Sequence, residues 1–352
     1  MTLATAATRP AAGLDPAWLA DPQARPLVSV IIPMYNEERH IAACLRAMLD
    51  QDYPPGKLEI VVVDGASTDR SAAVVKEQFI AAGAPLRLLH NPGRKTPHSL
   101  NMGLEAARGE VIVIMSAHAA AQPGFLQMNL ENLRRPGVDC SGGTLLNVGG
   151  TPKQVSIGVA MSHPFAMAVP HRYRRKPGFV KTAVYGAYRR KVFETVGRFE
   201  EDWTVPDDAD LNHRLTQAGY RIYYDPRIQT RYFPRQTFRS LARQMLTYGF
   251  LRARMLRRHY GAVSWFHFIP PLFLLVLAGL AAGAVFSPPA RYLLGLLLLV
   301  YAASAAGFAL DARNRQGQGR IVWIAMAFAS IQLSWGYGFI KGLLTLKHDA
   351  QA

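Results

Sequence analysis

The sequence predicts an α/β domain, a mostly parallel sheet with helices on both faces, followed by a C-terminal helical segment built for a membrane. Three observations predict it. Four short apolar runs rich in β-branched residues alternate with helical patterns between residues 27 and 115. Charge nearly vanishes beyond residue 262. Three apolar stretches then follow one another, each near the ~20 residues that a bilayer helix needs.

The elements can be justified in order. Residues 1–26 are rich in Ala and Pro and lack a long apolar run, so they read as a loose leader and not as a signal peptide. Strand signals fall at LVSVII (27–32), LEIVVV (58–63), LRLL (86–89) and EVIVIM (110–115). After the first, Asn36 can cap a helix with Glu37 and Glu38 in its first turn, and Ile41, Leu45, Met48 and Leu49 at helical spacing. After the second, Ser67 or Thr68 can cap a helix carrying Val74, Val75 and Phe79. After the third, Leu100 and Leu104 share a face and Gly109 ends the element. Ligands of such sheets bind beyond the carboxyl ends of the strands. Residues 33–37, 64–69 and 116–118 should therefore line one crevice.

That crevice lacks the usual phosphate motifs: no G-x-G-x-x-G follows a strand and no P-loop occurs. It offers isolated carboxylates instead. Asp64 closes VVVD before Gly65, which permits a tight turn. A strand-end Asp is often only a turn residue; a second acid at Asp69 and the acids of the first loop favour ligand reading. Further on, Asp207, Asp208 and Asp210 open a helical pattern through Leu211 and Leu215. They suit the helix dipole. Packed together they also repel, which raises the pKa of at least one and suits a general base.

The formal net charge is +16. Residues 170–191 hold eight Lys or Arg and no acid, and residues 231–260 hold eight Arg and no acid. Nucleic acid, or anionic membrane and phosphate ligands, would each match such a surface. The second stretch runs straight into apolar sequence, which favours membrane and phosphate over nucleic acid. Its helix, 235–258, has Phe238, Leu241, Met245 and Tyr248 on one face and should lie in the membrane interface. Cys44 and Cys140 form no CxxC pair and read as small buried hydrophobes.

The apolar stretches are 262–286, 292–310 and 321–346. Pro270–Pro271 marks a kink or an interfacial start of the first. The loop DARNRQGQGR carries three arginines against one in SPPAR. The positive-inside rule places the former loop and the N-terminal domain in the cytoplasm. The expected domains are the leader (1–26), a catalytic domain (27–233), the basic amphipathic helix (234–260) and a membrane domain (261–352).

VSVIIPMYNEE, EIVVVDGASTD, LNMGLEAARGE and DDADLNHRLTQAGYRIYYDP resemble, in order and spacing, the catalytic domain of glycosyltransferase family 2, which has the GT-A fold. FPRQTFRSLARQMLTYGFLRARMLRRH and the apolar tail look most like succinoglycan-type exopolysaccharide glucosyltransferases. The resemblance implies that Pro33, Tyr35 and Glu37 border the nucleoside of a nucleotide-sugar donor. It implies that Asp64 reads the base, uracil, and that Arg94 and Lys95 face the nucleotide. Ser116–Ala117–His118 falls where the family has its metal-binding Asp-x-Asp, or Asp-x-His in similar chains. Ser116 cannot supply the carboxylate, whereas His118 can ligate a cation. Mg²⁺ or Mn²⁺ would then be held weakly and mostly with the donor's help. Asp208 matches the catalytic base, with Asp207 in the preceding acidic position. Gln244 is a partial match to the acceptor motif Gln-x-x-Arg-Trp.

The resemblance therefore implies an inverting, membrane-anchored hexosyltransferase of the inner membrane, with its catalytic domain in the cytoplasm. It would transfer glucose from UDP-glucose to a lipid-linked saccharide in exopolysaccharide or other cell-surface glycan synthesis. A polyprenyl-phosphate sugar synthase and a non-catalytic membrane scaffold derived from the same fold are the alternatives.

Overall fold

The computed structural model describes residues 24–167, 169–201, 207–259, 261 and 263–345. They form two compact units. The first takes the described residues of Met1–Leu146, Arg174–Trp203 and Asp207–Tyr232. The second takes those of Asn147–Tyr173, Thr204–Pro206 and Phe233–Ala352. A domain boundary expected after residue 233 falls beside the observed break at Tyr232. Nothing in the apolar pattern, however, marks Asn147–Tyr173 for the second unit.

The first unit begins with β1 (Val28–Met34), α1 (Ile41–Leu49), β2 (Leu58–Asp64) and α2 (Ser71–Val75), which a π-helical turn, Lys76–Ile80, extends. There follow β3 (Leu86–His90), α3 (Thr96–Ala106), β4 (Val111–Ile114), β5 (Ala119–Ala121), α4 (Phe125–Arg134) and β6 (Cys140–Asn147). The chain then contributes α5 (Pro152–Met161) and α6 (Pro170–Tyr173) to the second unit. It returns with β7 (Gly178–Val180), β8 (Ala187–Arg189), α7 (Arg190–Val196), α8 (Asp207–Gln217) and β9 (Ile222–Tyr232).

The strands lie in the order β3-β2-β1-β4-β8-β6-β9-β5, with β7 on β9. The expected parallel sheet is its first half: β1 pairs in parallel with β2 and β4, and β2 with β3. The second half is antiparallel, β8 on β4, β6 on β8, and β5 and β7 on β9. The sheet is thus mixed, and its antiparallel half was not legible because β5, β7 and β8 are three-residue strands that carry too few β-branched residues to signal themselves. Alternation of side chains sorts β1 between two cores. Val30 and Ile32 join one with Ile41, Leu45, Met48 and Phe125. Ile31 joins the other with Leu100, Leu104, Ile112 and Leu211.

Gly109 has a different role from the expected helix stop. α3 ends at Ala106, and a Cβ on Gly109 would sit 2.7 Å from Leu27 O and 2.5 Å from Ser29 N. Close approach to β1 requires the glycine. The expected caps also fall elsewhere: α1 starts at Ile41 after His40 and α2 at Ser71 after Arg70, neither with a side-chain cap.

In the second unit, α9 (Phe238–Arg258) is capped by Thr237, whose Oγ1 accepts from Ser240 N at 3.2 Å. Leu241 and Met245 are fully buried, and α9 packs along α12 (Ile321–Leu344). Backbone meets backbone there: a Cβ on Gly249 would lie 2.0 Å from Trp335 O, and one on Gly338 2.1 Å from Leu246 O. Pro270–Pro271 starts α10 (Ile269–Gly283) after a 3₁₀ turn and kinks nothing. α11 (Pro288–Gln316) ends at Gly317 in the left-handed conformation. The segment 147–173 is tied in by Ser156 Oγ accepting from Arg320 N at 3.0 Å and by His163 Nε2 against Asp311 Oδ2 at 2.9 Å. Trp265–Gly283, Pro288–Gln316 and Ile321–Leu344 are each long and apolar enough to cross a membrane.

Candidate active site

The loops after β1 and β2 are zipped together. Parallel pairing sets Met34 level with Asp64, so the two loops leave the sheet side by side. Asn36 N donates to Ser67 Oγ at 3.0 Å, and Thr68 N donates to Asn36 Oδ1 at 2.8 Å. Glu37 N donates to Ser71 Oγ at 2.7 Å and Glu38 N to Asp69 Oδ2 at 3.1 Å. Asn36 is left-handed, φ 54°, a conformation that asparagine tolerates better than most residues. The expected helix cap is thus a link between loops. Asp69 accepts from Ser71 and Glu38; these bonds outweigh burial and hold its carboxyl below the usual range. Its oxygens organise the two loops.

Asp64 is 6% exposed at the end of β2. Its oxygens accept from Ser67 N at 3.2 and 3.4 Å, and His90 Nδ1 stands 3.8 Å away. Gly65 packs against the backbone of two loops: a Cβ there would make ordinary contacts, 3.4 Å from Met34 O and 3.5 Å from Arg94 O. That contact brings the loop of Arg94 and Lys95, both exposed, against the end of β2. Arg94 itself is left-handed at φ 58°. Tyr35 is 46% exposed at the end of β1, just beyond half-buried Pro33.

His118 Nδ1 lies 2.8 Å from Glu37 Oε1, so the acid of the first loop reaches the histidine of the fourth strand end. Ser116 Oγ lies 3.0 Å from Nδ1 and 3.2 Å from Nε2 of the same ring. Tyr232 meets the ring edge-on with centroids 5.7 Å apart. Burial lowers the neighbouring His40 imidazole; Glu37 opposes this, and His118 and Arg39 add to it. Glu37, Ser116 and His118 therefore form one group. Tyr232, at the end of β9, was not legible as a member, since only the antiparallel pairing of β5 with β9 brings it there.

Asp208 is exposed in the first turn of α8, and its Oδ1 accepts from Ala209 N at 2.8 Å. Asp210 is 2% exposed and pairs with Arg214 Nε at 2.8 Å. Arg214 also donates to Val196 O and Arg198 O. The three acids are thus not one repelling cluster, because Asp210 turns inward to an arginine. Burial chiefly, with Cys140 and Asp208 adding to it, pushes the Tyr188 hydroxyl well above its ordinary value. The Asp207 side chain lies outside the described residues. Gln244 belongs to α9 of the second unit, where its Nε2 donates to Tyr248 Oη at 3.1 Å.

Among the described residues, no group of three or more His, Cys, Asp and Glu side chains is arranged to hold a metal ion. His118 and the Ser116 hydroxyl, with Glu37 against the ring at Nδ1, make a thinner set. It fits a hard cation that takes most of its oxygens from a diphosphate and water, and does not fit one held by protein alone.

Residues 29–197 match the family model described as glycosyl transferase family 2. The chain carries a glycosyltransferase family 2 domain. The strand ends bearing Tyr35, Glu37, Asp64, Ser116 and His118 all lie within the match. This glycosyltransferase is 27% identical over 326 residues to a Methanococcus voltae relative, covering 90% of this chain and 97% of that one. The relative is named dolichyl N-acetyl-alpha-D-glucosaminyl phosphate 3-beta-D-2,3-diacetamido-2,3-dideoxy-beta-D-glucuronosyltransferase. It is 26% identical over 326 residues to the Rhizobium meliloti succinoglycan biosynthesis protein ExoA, covering 90% and 95%. A mannosyltransferase of Pyrobaculum calidifontis, solved with GDP-Man and Mn²⁺, superposes with a TM-score of 0.60 at 25% identity, covering 94% and 92%. The first unit of the glycosyltransferase has the GT-A fold.

Proposed function

We propose that this glycosyltransferase moves glucose from UDP-glucose onto a lipid-linked saccharide at the cytoplasmic face of the inner membrane, with inversion, in exopolysaccharide or other cell-surface glycan synthesis. The observation that carries the reading is the nearly full-length match to a relative named for a dolichyl-phosphate-linked sugar. Three apolar helices in the second unit support the same class of acceptor. In this reading Tyr35 and Pro33 border the nucleoside, Asp64 holds the base, and Arg94, Lys95 and Ser116 face the diphosphate. His118 would hold a divalent cation together with the donor. The cation neutralises charge on the departing diphosphate. Asp208, preceded by Asp207, takes the proton of the acceptor hydroxyl as that oxygen attacks the anomeric carbon. Gln244, the partial match to the acceptor motif, would contribute to holding the acceptor.

The Pyrobaculum neighbour holds GDP-Man, which makes GDP-mannose the second donor to test. The experiment incubates membranes containing the full chain with labelled UDP-glucose, UDP-galactose, UDP-N-acetylglucosamine and GDP-mannose, and follows label into extractable lipid. Label from UDP-glucose in a lipid-linked oligosaccharide is the expected result. Label only in a single-sugar lipid phosphate would make the chain a polyprenyl-phosphate sugar synthase instead, and no transfer from any donor would leave a scaffold.

A further inference from the structure

Glu37 is well placed for something other than the nucleoside. Its backbone is fixed on both sides: Asn36 is locked to Ser67 and Thr68, Glu37 N to Ser71 Oγ, and Glu38 N to Asp69. The side chain is thereby sent to His118, 81 positions along the sequence, where it makes its 2.8 Å contact. Both side chains keep some access, 19% for Glu37 and 32% for His118. The contact is therefore neither a sealed core pair nor a solvated surface one.

A carboxylate only accepts, so the ring must present N–H at Nδ1. In the neutral ring Nε2 is then the nitrogen with the lone pair, the form a metal-ligating imidazole needs. A carboxylate behind an imidazole is a common way to fix tautomer and ring angle and to make the ligand more basic. The ring nitrogen that meets this carboxylate also lies 3.0 Å from Ser116 Oγ, the position without an acid of its own. We propose that Glu37 is a positioning residue for the donor-bound cation: it orients His118 and supplies, from the loop after β1, the negative charge that Ser116 does not. The inference rests on the reading of His118 as the cation ligand given above. It moves Glu37 from the nucleoside to the diphosphate end of the crevice.

The test titrates Mn²⁺ by electron paramagnetic resonance into the full chain in detergent with saturating UDP, and in a second series with GDP. Nucleotide binding without metal is measured in parallel. In either series that shows binding, Glu37→Ala should weaken Mn²⁺ by about 10–100-fold, the usual cost of losing such a partner. Metal-free nucleotide binding should stay unchanged. Adding Ser116→Asp to Glu37→Ala should recover most of the loss, because it returns one carboxylate to the same ring. Should Glu37→Ala fail to fold, Glu37→Gln keeps the shape without the charge and should show the same rescue. Wild-type Mn²⁺ affinity in Glu37→Ala, with His118→Ala impaired, overturns the inference and leaves the ligand. Equal loss of nucleotide with and without Mn²⁺ also overturns it and returns Glu37 to the nucleoside. If His118→Ala binds Mn²⁺ normally, or neither nucleotide recruits the ion to wild type, the reading of His118 fails and the inference with it.

Discussion

Asp210 and Arg214 stand one helical turn apart and form an ion pair at 2.8 Å, with Asp210 only 2% exposed. The pair separates two carboxylates that the sequence presents together, since Asp208 stays exposed in the same turn. Structure and chemistry should therefore divide between them. Asp208→Asn should leave the thermal midpoint and donor binding nearly unchanged and cut turnover by about 10²–10⁴, the range for a positioned base. Asp210→Asn should instead destabilise. Breaking a buried pair from one side costs about 3–5 kcal/mol, and the carbonyl bonds that Arg214 keeps place this case near the lower end. Thermal unfolding and turnover of both purified variants decide it; near-normal turnover in Asp208→Asn would remove the base assignment.

Acid should weaken the first unit through Glu59 and Asp225. Glu59, 5% exposed, accepts from Ser29 Oγ at 2.5 Å and from Arg108 N and Nε at 2.6 and 3.0 Å. Burial alone would raise its pKa, but these bonds outweigh burial and hold it below the usual value. Asp225 is likewise lowered, with burial outweighed by Arg227 and Asn132. A carboxyl lowered by folding contributes stability above its unfolded value, near pH 4, and loses it as pH falls through the folded value. Melting temperature should thus fall steeply below about pH 4. Glu59→Gln should start lower at neutral pH and descend less steeply in acid; parallel curves would show that Glu59 is not responsible.

Glycine should matter by position in the second unit. At Gly249 a Cβ would lie 2.0 Å from the Trp335 carbonyl oxygen, which is backbone and cannot swing away. Gly249→Ala should force α9 off α12 and lower the melting temperature in detergent, with overpacking of this kind costing about 1–3 kcal/mol or more. Gly279 in α10 has nothing within 4 Å of the same position. Gly279→Ala should be neutral or slightly stabilising through helix propensity. Equal behaviour of the two variants would contradict the packing of α9 on α12.

The arginines of residues 311–320, where α11 ends and the loop to α12 begins, should hold that loop in the cytoplasm together with the N-terminal domain, and place the C-terminus outside. Reporter fusions at the loop and at the C-terminus read this directly. A loop reporter active outside would reverse the topology. A C-terminal reporter active inside would mean that one of the three helices does not cross.

The parallel half of the sheet and the apolar helices were legible in the sequence. Each of these is written locally, in a period of two, a period near 3.6 or an unbroken apolar run. Motifs of fixed spacing also carry Asp64, His118 and Asp208, the residues proposed for the base, the cation and the acceptor proton. Tertiary structure decided what those residues touch. Whether Asn36 caps a helix or bonds to Thr68, and whether Asp69 meets a ligand or the amide of Glu38, depends on which loop lies alongside. Asp210 turns inward to an arginine only four positions on, but the pairing of Glu37 with His118 is likewise a contact across the fold. So is the recruitment of Asn147–Tyr173 to the second unit, through partners such as Arg320 and Asp311 more than 140 positions away. A hydrogen bond has no sequence period: its partner is chosen by distance and by the cost of leaving a buried polar group unmatched, and both exist only once the chain has folded.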